Sequence, residues 1–261
     1  MKLYVINLDR SPERLAAVTA QFQAQGLELT RIAAFDAKFM DEETYQKLTI
    51  GQNYIRPLIM GEVACFLSHR LVWQKIAEGS APYAAVFEDD IVLSSRARLL
   101  LHKTDWIPRD THIIKLETHR RFNRKIWLGA SRMIDNDLKI APLKSTHLCT
   151  GAYIVSRGMA NQLLQETEHI LLPVDDFLFG FEYNFAHKRI IYQLDPALVV
   201  QSDMPSILEP ARRQLNKQDF LQTFKRKTKR ISRKSWLELR GLGINLLTQE
   251  QWKRIPFDGE E

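Results

Sequence analysis

The first part of the chain alternates between short apolar runs and polar segments in the order strand, helix, strand. The run from Leu3 to Leu8 contains Val and Ile and predicts a strand, and Ser11 followed by Pro12 predicts the start of a helix. The segment from Leu27 to Phe35 resumes strand character. This βαβ order predicts a parallel sheet whose first loop, residues 7–14, lies at the ligand-binding edge. The loop lacks GxGxxG, so a dinucleotide cofactor is not predicted.

The next two elements carry the clearest patterns. Apolar residues recur at helical spacing between Gly61 and Ala77, which predicts a helix, and an apolar run from Ala84 to Leu93 predicts an interior strand. Three adjacent acids, Glu88, Asp89 and Asp90, interrupt that run. Buried charges are costly unless they are paired or hold a metal. The acids therefore predict a divalent cation site at the carboxyl edge of the sheet.

The second half of the chain continues the alternation of strands and helices. Thr111 to Leu116 predicts a strand, and Ile126 to Leu143 predicts a β-hairpin. Thr150 to Ser156 is a small-residue loop that runs into a strand, and Met159 to Glu168 predicts a helix after it. Ile190 to Val200 predicts a final strand. The whole pattern predicts an α/β class protein with a mixed, mostly parallel sheet flanked by helices.

Charge divides the chain unevenly. The protein has 261 residues, 45% of them hydrophobic, and a net charge of +6. Residues 212–240 hold 11 Lys and Arg against two acids, which leaves 26 basic and 29 acidic residues elsewhere. We therefore predict a main domain over residues 1–207 and a basic, helical C-terminal segment over residues 208–261. The basic segment is either a solvated helix face or a site for an anionic membrane surface. The mildly acidic body argues against a nucleic-acid partner.

Nothing in the sequence predicts an exported or membrane-spanning protein. Cys65 and Cys149 are far apart and indicate neither a disulfide framework nor a zinc site. Polar residues follow the first apolar run at once, unlike a signal peptide, and no apolar run approaches the roughly 18 residues of a transmembrane helix. We expect a cytoplasmic protein, with a possible peripheral position on the inner face of the cytoplasmic membrane.

A second acidic pair suggests how the first acids are used. Asp175 and Asp176 follow Pro173 and precede a run of aromatic residues. A metal held by the first acids would offset charge on a diphosphate leaving group, while a separate carboxylate would act as general base on an acceptor hydroxyl. This combination fits a transferase that uses a nucleotide sugar. Phosphatases and nucleases also use paired carboxylate sites, so the residues alone leave those classes open.

An ordered set of motifs resembles glycosyltransferase family 25, the bacterial lipooligosaccharide galactosyltransferases and their relatives. The motifs run in the family's order from residue 1 to about 207, and their combination is far more specific than any one of them. They are Val5-Ile6-Asn7-Leu8-Asp9-Arg10 with Arg14, Ala34-Phe35-Asp36, Gly61-Glu62-Val63-Ala64-Cys65-Phe66-Leu67-Ser68-His69, Phe87-Glu88-Asp89-Asp90-Ile91, Gly151-Ala152-Tyr153-Ile154, Pro173-Val174-Asp175, and Pro196 with Gln201 and Ser206.

The resemblance implies an A-type, Rossmann-like glycosyltransferase fold and an inverting enzyme that uses UDP-galactose and a divalent metal, manganese more often than magnesium. The motif at Glu88 takes the place of the family's DxD-type motif, with Asp90 as the direct metal ligand and Glu88 nearer the ribose or sugar. The candidate donor-binding residues include one further basic residue, a glycine and an amide. The full set is Asn7, Leu8, Arg14, Asp36, Glu88, Asp89, Lys115, Gly151 and Gln201.

The resemblance also implies an acceptor half of the site. Asp175 matches the family's acid after Pro-Ile/Val and is the first choice for general base, with Asp176 a neighbour of open role; the alternative is that Asp175 only caps the following helix. Ser68, His69 and Tyr153 are acceptor-binding or structural candidates. The expected acceptor is a lipid-linked or oligosaccharide portion of lipooligosaccharide or a related glycan. The competing function is a catalytically silent protein that binds a sugar nucleotide or glycan.

Overall fold

The computed structural model describes residues 1–52, 54–119, 124–202, 243, 245 and 248–259. Its centre is a sheet of eight strands, built from apolar segments of three to six residues. In spatial order the strands are β2 (Thr30–Ala33), β1 (Lys2–Asn7), β3 (Tyr83–Glu88), β10 (Ala152–Ser156), β5 (Ile113–Lys115), β11 (Ile191–Asp195), β9 (Leu138–Pro142) and β8 (Arg132–Asp135). Strands β8 and β9 form the predicted hairpin.

Most strands of this sheet run in one direction. Strand β1 pairs in parallel with β2 and β3, and β5 pairs in parallel with β11. Strand β10 is antiparallel to both β3 and β5, and β9 is antiparallel to β11 and β8. Six of the eight strands therefore share one direction. The predicted α/β class with a mixed, mostly parallel sheet is confirmed.

Helices cover both faces of the sheet. The helices are α1 (Pro12–Gln23), α2 (Glu42–Leu48), α3 (Met60–Glu78), α4 (Arg98–Leu101), α5 (Arg157–Glu166), α6 (Val174–Phe179) and α7 (Asn184–His187). Alternate residues of β3 serve the two faces: Val86 packs in a cluster with Trp73 of α3, and Phe87 packs in another with Phe22 of α1. Burial of such side chains contributes roughly 1.5–3 kcal/mol each. The double burial explains why β3 is apolar throughout and not alternating.

The predicted continuous strand from Ala84 to Leu93 is instead two strands in two sheets. Strand β3 ends at Glu88, the chain bends at Asp89 and Asp90, and β4 (Ile91–Leu93) joins a smaller sheet with β12 (Val199–Gln201) and β6 (Glu117–Thr118). The bend carries the chain from one sheet to the other while the apolar residues on either side stay buried. It brings the three acids to the junction of two sheets.

The predicted strand over residues 190–200 is likewise divided, into β11 and β12 in different sheets. The end of the chain also contributes to the body of the protein, because β13 (Gln251–Lys253) pairs with β7 (Ile126–Leu128). Asp258 accepts hydrogen bonds from Arg96 at 3.0 and 3.1 Å. The described end of the predicted C-terminal segment therefore packs on the main domain. The basic residues 212–240 lie outside the described residues, and the boundary at 207 stays a prediction.

Among the helices that the structure describes, none is both long and apolar enough to cross a bilayer.

Candidate active site

Asp89 ties the first loop of the chain to the end of β3. Its carboxylate accepts a hydrogen bond from Asn7 Nδ2 at 2.7 Å and another from Arg14 Nη1 at 3.1 Å. Asn7 is buried and also donates to the Ser11 carbonyl at 2.9 Å. Arg31 Nε donates to Asn7 Oδ1 at 3.0 Å. Asn7 and Asp89, both predicted to bind the donor, therefore hold the strand ends and α1 in register.

Asp90 has the opposite character. Its Oδ1 atom is buried and has no hydrogen-bond partner among the described residues, while Oδ2 lies 3.7 Å from Arg14 Nη1. Burial, together with the charges of Glu88 and Asp89, raises the pKa of Asp90 to about 7. A buried carboxylate oxygen without a partner costs about 1–3 kcal/mol or more. An arriving cation would relieve both the desolvation and the like-charge repulsion.

Glu88 is positioned by a chain of buried hydrogen bonds. The Trp73 indole can only donate, and it donates to the Tyr153 hydroxyl at 2.8 Å. That hydroxyl lies 2.9 Å from His69 Nδ1, so its own proton can go to the imidazole. His69 Nε2 then carries the ring proton and faces Glu88 Oε1 at 3.4 Å, and Thr150 Oγ1 donates to the same oxygen at 2.6 Å.

These contacts decide the charge of Glu88 and the roles of two other candidates. Burial raises the pKa of Glu88, but the His69 and Thr150 hydrogen bonds outweigh it and leave that pKa below the ordinary value. His69 and Tyr153 are fully buried. They were predicted as acceptor-binding or structural residues, and in this structure their polar atoms orient Glu88.

A buried ion pair lies beside the acids. Lys115 Nζ donates to Glu117 Oε1 at 2.8 Å and to the Cys149 carbonyl, and it lies 4.1 Å from the centre of the Phe179 ring. The side chains of Lys115 and Glu117 are 0% and 1% exposed. Lys115 was predicted either to pair with a carboxylate or to contact the donor diphosphate. It pairs with the Glu117 carboxylate, in the interior and not at the surface, and its donor contact stays a prediction.

Glu117 is a site residue that the sequence reading missed. Its Oε2 atom is buried without a hydrogen-bond partner among the described residues. Burial raises its pKa to about 7, with Lys115 acting against burial and Glu88 adding to it. An alanine Cβ at Gly151 would lie 2.6 Å from this oxygen. The sequence feature that could have revealed Glu117 is a pair of charged residues, Lys115 and Glu117, at the end of an apolar strand. Glu88 occupies the same kind of position.

Residues 149–151 connect the acids of β3 with the second acidic pair. Thr150 holds Glu88, and the Gly151 carbonyl accepts from the Glu88 amide at 2.9 Å. The Cys149 amide donates to Asp175 Oδ2 at 3.4 Å, a long bond, and Cys149 has a left-handed φ of 75°. The two predicted halves of the site therefore share one short backbone segment.

Asp176 has a stronger partner than Asp175. Both residues lie in the first turn of α6, and Tyr54 donates its hydroxyl proton to Asp176 Oδ2 at 2.6 Å. Burial and the charge of Asp175 raise the pKa of Asp176 to about 6, although the Tyr54 hydrogen bond acts in the other direction. A pKa near the working pH suits a general base. The pair lies at the start of a helix, where the helix dipole favours acidic side chains.

The remaining candidates have mixed surroundings. Ser68 Oγ accepts from the Phe35 amide at 2.9 Å and donates to the Ala64 carbonyl at 2.8 Å, so it fastens α3 to the segment after β2. Asp36 caps the 3-10 helix Ala37–Phe39 and pairs with Arg10 at 2.7 Å. Leu8 is half-buried in the loop after β1, and Gln201 ends β12 near Gly151.

Comparison with known proteins decides the family. The sequence profile of "Glycosyltransferase family 25 (LPS biosynthesis protein)" matches residues 1–178, more than half of the chain. The chain belongs to glycosyltransferase family 25. This family 25 protein thus combines a glycosyltransferase sequence with a carboxylate-rich junction between two sheets.

Relatives of this family 25 protein include the lipooligosaccharide biosynthesis protein lex-1 of Haemophilus influenzae. It is 27% identical, over 95% of this chain and 92% of that protein. The lacto-N-neotetraose biosynthesis glycosyltransferase LgtB of Neisseria gonorrhoeae is 29% identical, over 84% of this chain and 85% of its own length. A putative glycosyltransferase of Haemophilus influenzae is 30% identical over 76% of this chain and 69% of its own.

Two solved glycosyltransferases share limited structural similarity with the family 25 protein. One takes part in glycosylation of the major capsid of PBCV-1; it has a TM-score of 0.44 and 12% identity, over 80% of this chain and 96% of its own. The galactosyltransferase LgtC has a TM-score of 0.38 and 11% identity, over 78% of this chain and 88% of its own. Family membership and the mixed, mostly parallel sheet flanked by helices identify the A-type glycosyltransferase fold.

A divalent metal fits the donor atoms at the sheet junction. Asp90 and Glu117 each present a buried carboxylate oxygen that has no partner among the described residues. The charge of Glu88 raises the pKa of both residues, so the three carboxylates interact electrostatically. Carboxylate oxygens are the ligands that magnesium and manganese prefer. Asp89 differs, because Asn7 and Arg14 already occupy both of its oxygens.

Proposed function

We propose that this protein is an inverting, metal-dependent hexosyltransferase that moves galactose from UDP-galactose to a saccharide acceptor of lipooligosaccharide or a related cell-surface glycan. The family supports glycosyl transfer, and the roles of lex-1 in lipooligosaccharide biosynthesis and of LgtB in lacto-N-neotetraose biosynthesis support the pathway class. The observation that carries the metal dependence is the buried Oδ1 of Asp90 after β3, which has no hydrogen-bond partner among the described residues.

In this proposal Asp90 and Glu88 bind a divalent ion, manganese in preference to magnesium, and Glu117 supports the same ion. The ion would neutralise charge on the diphosphate as the glycosidic bond breaks. Arg14 bridges Asp89 and Asp90 and is close enough to add positive charge on the donor side. Leu8, Asp36, Gly151 and Gln201 remain proposed contacts of the nucleotide or its sugar.

We propose Asp175 and Asp176 as the acceptor-activating pair. Inversion in one step needs a base on the acceptor hydroxyl, on the face opposite the leaving diphosphate. Asp176 has the raised pKa and a fixed orientation through Tyr54, whereas Asp175 matches the family motif and touches the 149–151 segment. Replacing each with Asn separately distinguishes them: the base variant keeps donor binding and loses transfer.

The decisive experiment is a screen of UDP-hexoses for UDP release with and without manganese. We expect release with UDP-galactose that needs the metal, and loss of that release in Asp90→Asn. The matched control is Asp137→Asn, an exposed acid that pairs with Arg96 away from the sheet junction. Donor binding without release under all conditions would favour the silent binding protein. Metal-independent release by Asp90→Asn would overturn the metal assignment.

The acceptor proposal extends to the membrane surface. A lipid-linked acceptor on the cytoplasmic leaflet would suit the basic run at Lys225–Arg230, worth about 1 kcal/mol per basic residue near anionic lipid. Truncation is a poor test, because β13 at the end of the chain pairs with β7. Flotation with anionic liposomes should instead compare the full chain with a variant whose five basic residues in this run are Gln. Equal flotation would reject membrane binding through this run.

A further inference from the structure

A thiol, an imidazole and a carboxylate converge on the α3 side of the sheet. Cys65 and His69 are one turn apart on α3, and Glu88 ends the neighbouring β3. One ligand atom of each lies within 4.8 Å of the other two. Cys65 is half-buried, His69 is buried, and the Glu88 side chain is 22% exposed. Solvent therefore reaches this cluster past Cys65 and Glu88.

The spacing is close to that around a four-coordinate zinc ion. His69 Nε2 and Glu88 Oε1 are 3.4 Å apart. Two ligands at ordinary Zn–N and Zn–O lengths, set at a tetrahedral angle, are also separated by about 3.4 Å. The sulfur lies within 4.8 Å of the nitrogen, and Zn–S and Zn–N lengths place those two atoms about 3.5 Å apart, so the sulfur needs to approach by at most about 1.3 Å.

The second shell is also present. Zinc at His69 Nε2 requires the proton on Nδ1, which lies 2.9 Å from the Tyr153 hydroxyl. The hydroxyl oxygen can accept that N–H bond, and the Trp73 indole keeps the tyrosine in place. Such an outer partner fixes the ring orientation of a metal-binding histidine. Zinc binding thus exchanges one tautomer of His69 for the other without moving the ring.

We propose that Cys65, His69 and Glu88 form a zinc site, distinct from the manganese site proposed at Asp90. A thiolate with an imidazole favours zinc over manganese, which prefers oxygen ligands. The ion takes three protein ligands and leaves a fourth position for water or a substrate oxygen. Binding releases the Cys65 thiol proton to solvent, so zinc occupancy weakens as the pH falls.

The site regulates the transferase, and this consequence rests on the proposed function. Glu88 belongs to both metal sites, and a carboxylate oriented toward zinc on the α3 side is withdrawn from the donor's metal. Zinc then inhibits metal-dependent UDP release and raises the manganese concentration needed for half-maximal release. The zinc site itself does not depend on turnover, so binding is measured independently of activity.

The test measures zinc binding to the full chain by equilibrium dialysis and the absorption of its cobalt complex. We expect one zinc per chain and a thiolate-to-cobalt charge-transfer band in wild type. Cys65→Ser should lose the band and bind zinc at least about tenfold more weakly, a loss that even an outer-sphere change typically produces. The matched control is Cys149→Ser, which alters the other cysteine and should keep both band and stoichiometry.

Three results overturn the proposal. They are the absence of stoichiometric zinc binding in wild type, unchanged zinc affinity in Cys65→Ser, and a cobalt band that is lost in Cys149→Ser instead. UDP release measured with and without zinc provides the regulatory readout. Zinc should lower UDP release by the wild type and leave UDP release by Cys65→Ser unchanged. Zinc binding without UDP release from any donor would reject the proposed function and leave the zinc site standing.

Discussion

Replacing Gly151 with alanine should destabilise the protein through a single added methyl group. The new Cβ would lie 2.6 Å from Glu117 Oε2, 3.4 Å from Ile91 Cγ2 and 3.5 Å from Gln201 Cγ. The nearest atom ends a flexible side chain, but Glu117 is buried and held by Lys115 at 2.8 Å. The strand end is also fixed, because the Gly151 carbonyl accepts from the Glu88 amide at 2.9 Å. Neither side can move away without losing a contact.

The size of the effect follows from overpacking. An extra methyl group in a packed interior costs about 1–3 kcal/mol. For a domain of this size each kcal/mol lowers the Tm by about 2–4 °C, so we expect Gly151→Ala to unfold about 2–12 °C below wild type. Displacement of Glu117 or Glu88 should also reduce metal-dependent UDP release. Thermal unfolding followed by circular dichroism and the UDP-release assay measure the two effects.

Gly158→Ala is the matched control. Gly158 lies near the start of α5, and an added Cβ would meet no atom within 4 Å. Because alanine has a higher helix propensity than glycine, its Tm should equal or slightly exceed that of wild type. If Gly151→Ala and Gly158→Ala unfold at the same temperature and release UDP equally well, Glu117 is not confined as described.

Three further substitutions test the site. Lys115→Met should cost about 1–3 kcal/mol in denaturant unfolding, because Glu117 loses its donor and is left buried and protonated, and the added Glu117→Leu change should restore part of this loss. Asp90→Asn should abolish the stabilisation by manganese, which in wild type reaches about 2.7 kcal/mol when the metal is at 100 times its Kd. Tyr54→Phe should shift the acidic limb of the kcat profile to higher pH, because it removes a hydrogen bond that lowers the pKa of Asp176 from a higher value to about 6.

Each of these changes has a control and a failing result. Lys47→Met breaks an exposed ion pair with Glu43 and should leave the free energy of unfolding nearly unchanged. If Lys115→Met changed the free energy of unfolding equally little, the buried ion pair with Glu117 would be contradicted. If manganese still raised the Tm of Asp90→Asn, the metal would bind at a site other than Asp90. Tyr45→Phe removes a hydroxyl that donates to the Leu58 carbonyl, and an acidic limb that moves equally in both tyrosine variants would exclude Asp176.

Stability offers a second view of Asp176. Its pKa of about 6 in the folded protein exceeds the ordinary value of 3.8, so folding favours the protonated form. The stability that this group contributes is complete below about pH 3.8 and is lost as the pH rises through 6. Tyr54→Phe should extend that loss to higher pH. Unfolding measured from pH 4 to pH 8 would detect the change in slope.

Much of the fold was predictable, because the periodic apolar pattern determined it. Helix α3 and strand β1 were expected to within one residue at each end, and β3 was expected to begin one residue after its observed start. The bend after Glu88 was not, since apolar residues continue beyond the acids and only tertiary pairing of β4 with β12 separates the two strands. Strand β13 has three residues and no alternation of its own, so its structure depends on the partner strand β7.

The site was predictable as a cluster but not in its division of labour. Three consecutive acids point to different partners: Glu88 to His69 and Thr150, Asp89 to Asn7 and Arg14, and Asp90 to no hydrogen-bond donor among the described residues. Sequence spacing cannot reveal these directions. Glu117 was missed because a charge next to a lysine resembles a surface pair until burial is known.

The segment at residues 149–151 has a kinetic consequence. Its three residues hold Glu88 by a side chain and Asp175 by a backbone amide, so the proposed donor and acceptor halves are joined through the backbone. A change in the orientation of Glu88 on loading of the donor side would reach the acceptor side within one or two peptide units. Such a connection favours an ordered reaction in which the donor binds first and the acceptor enters a site that the donor has completed.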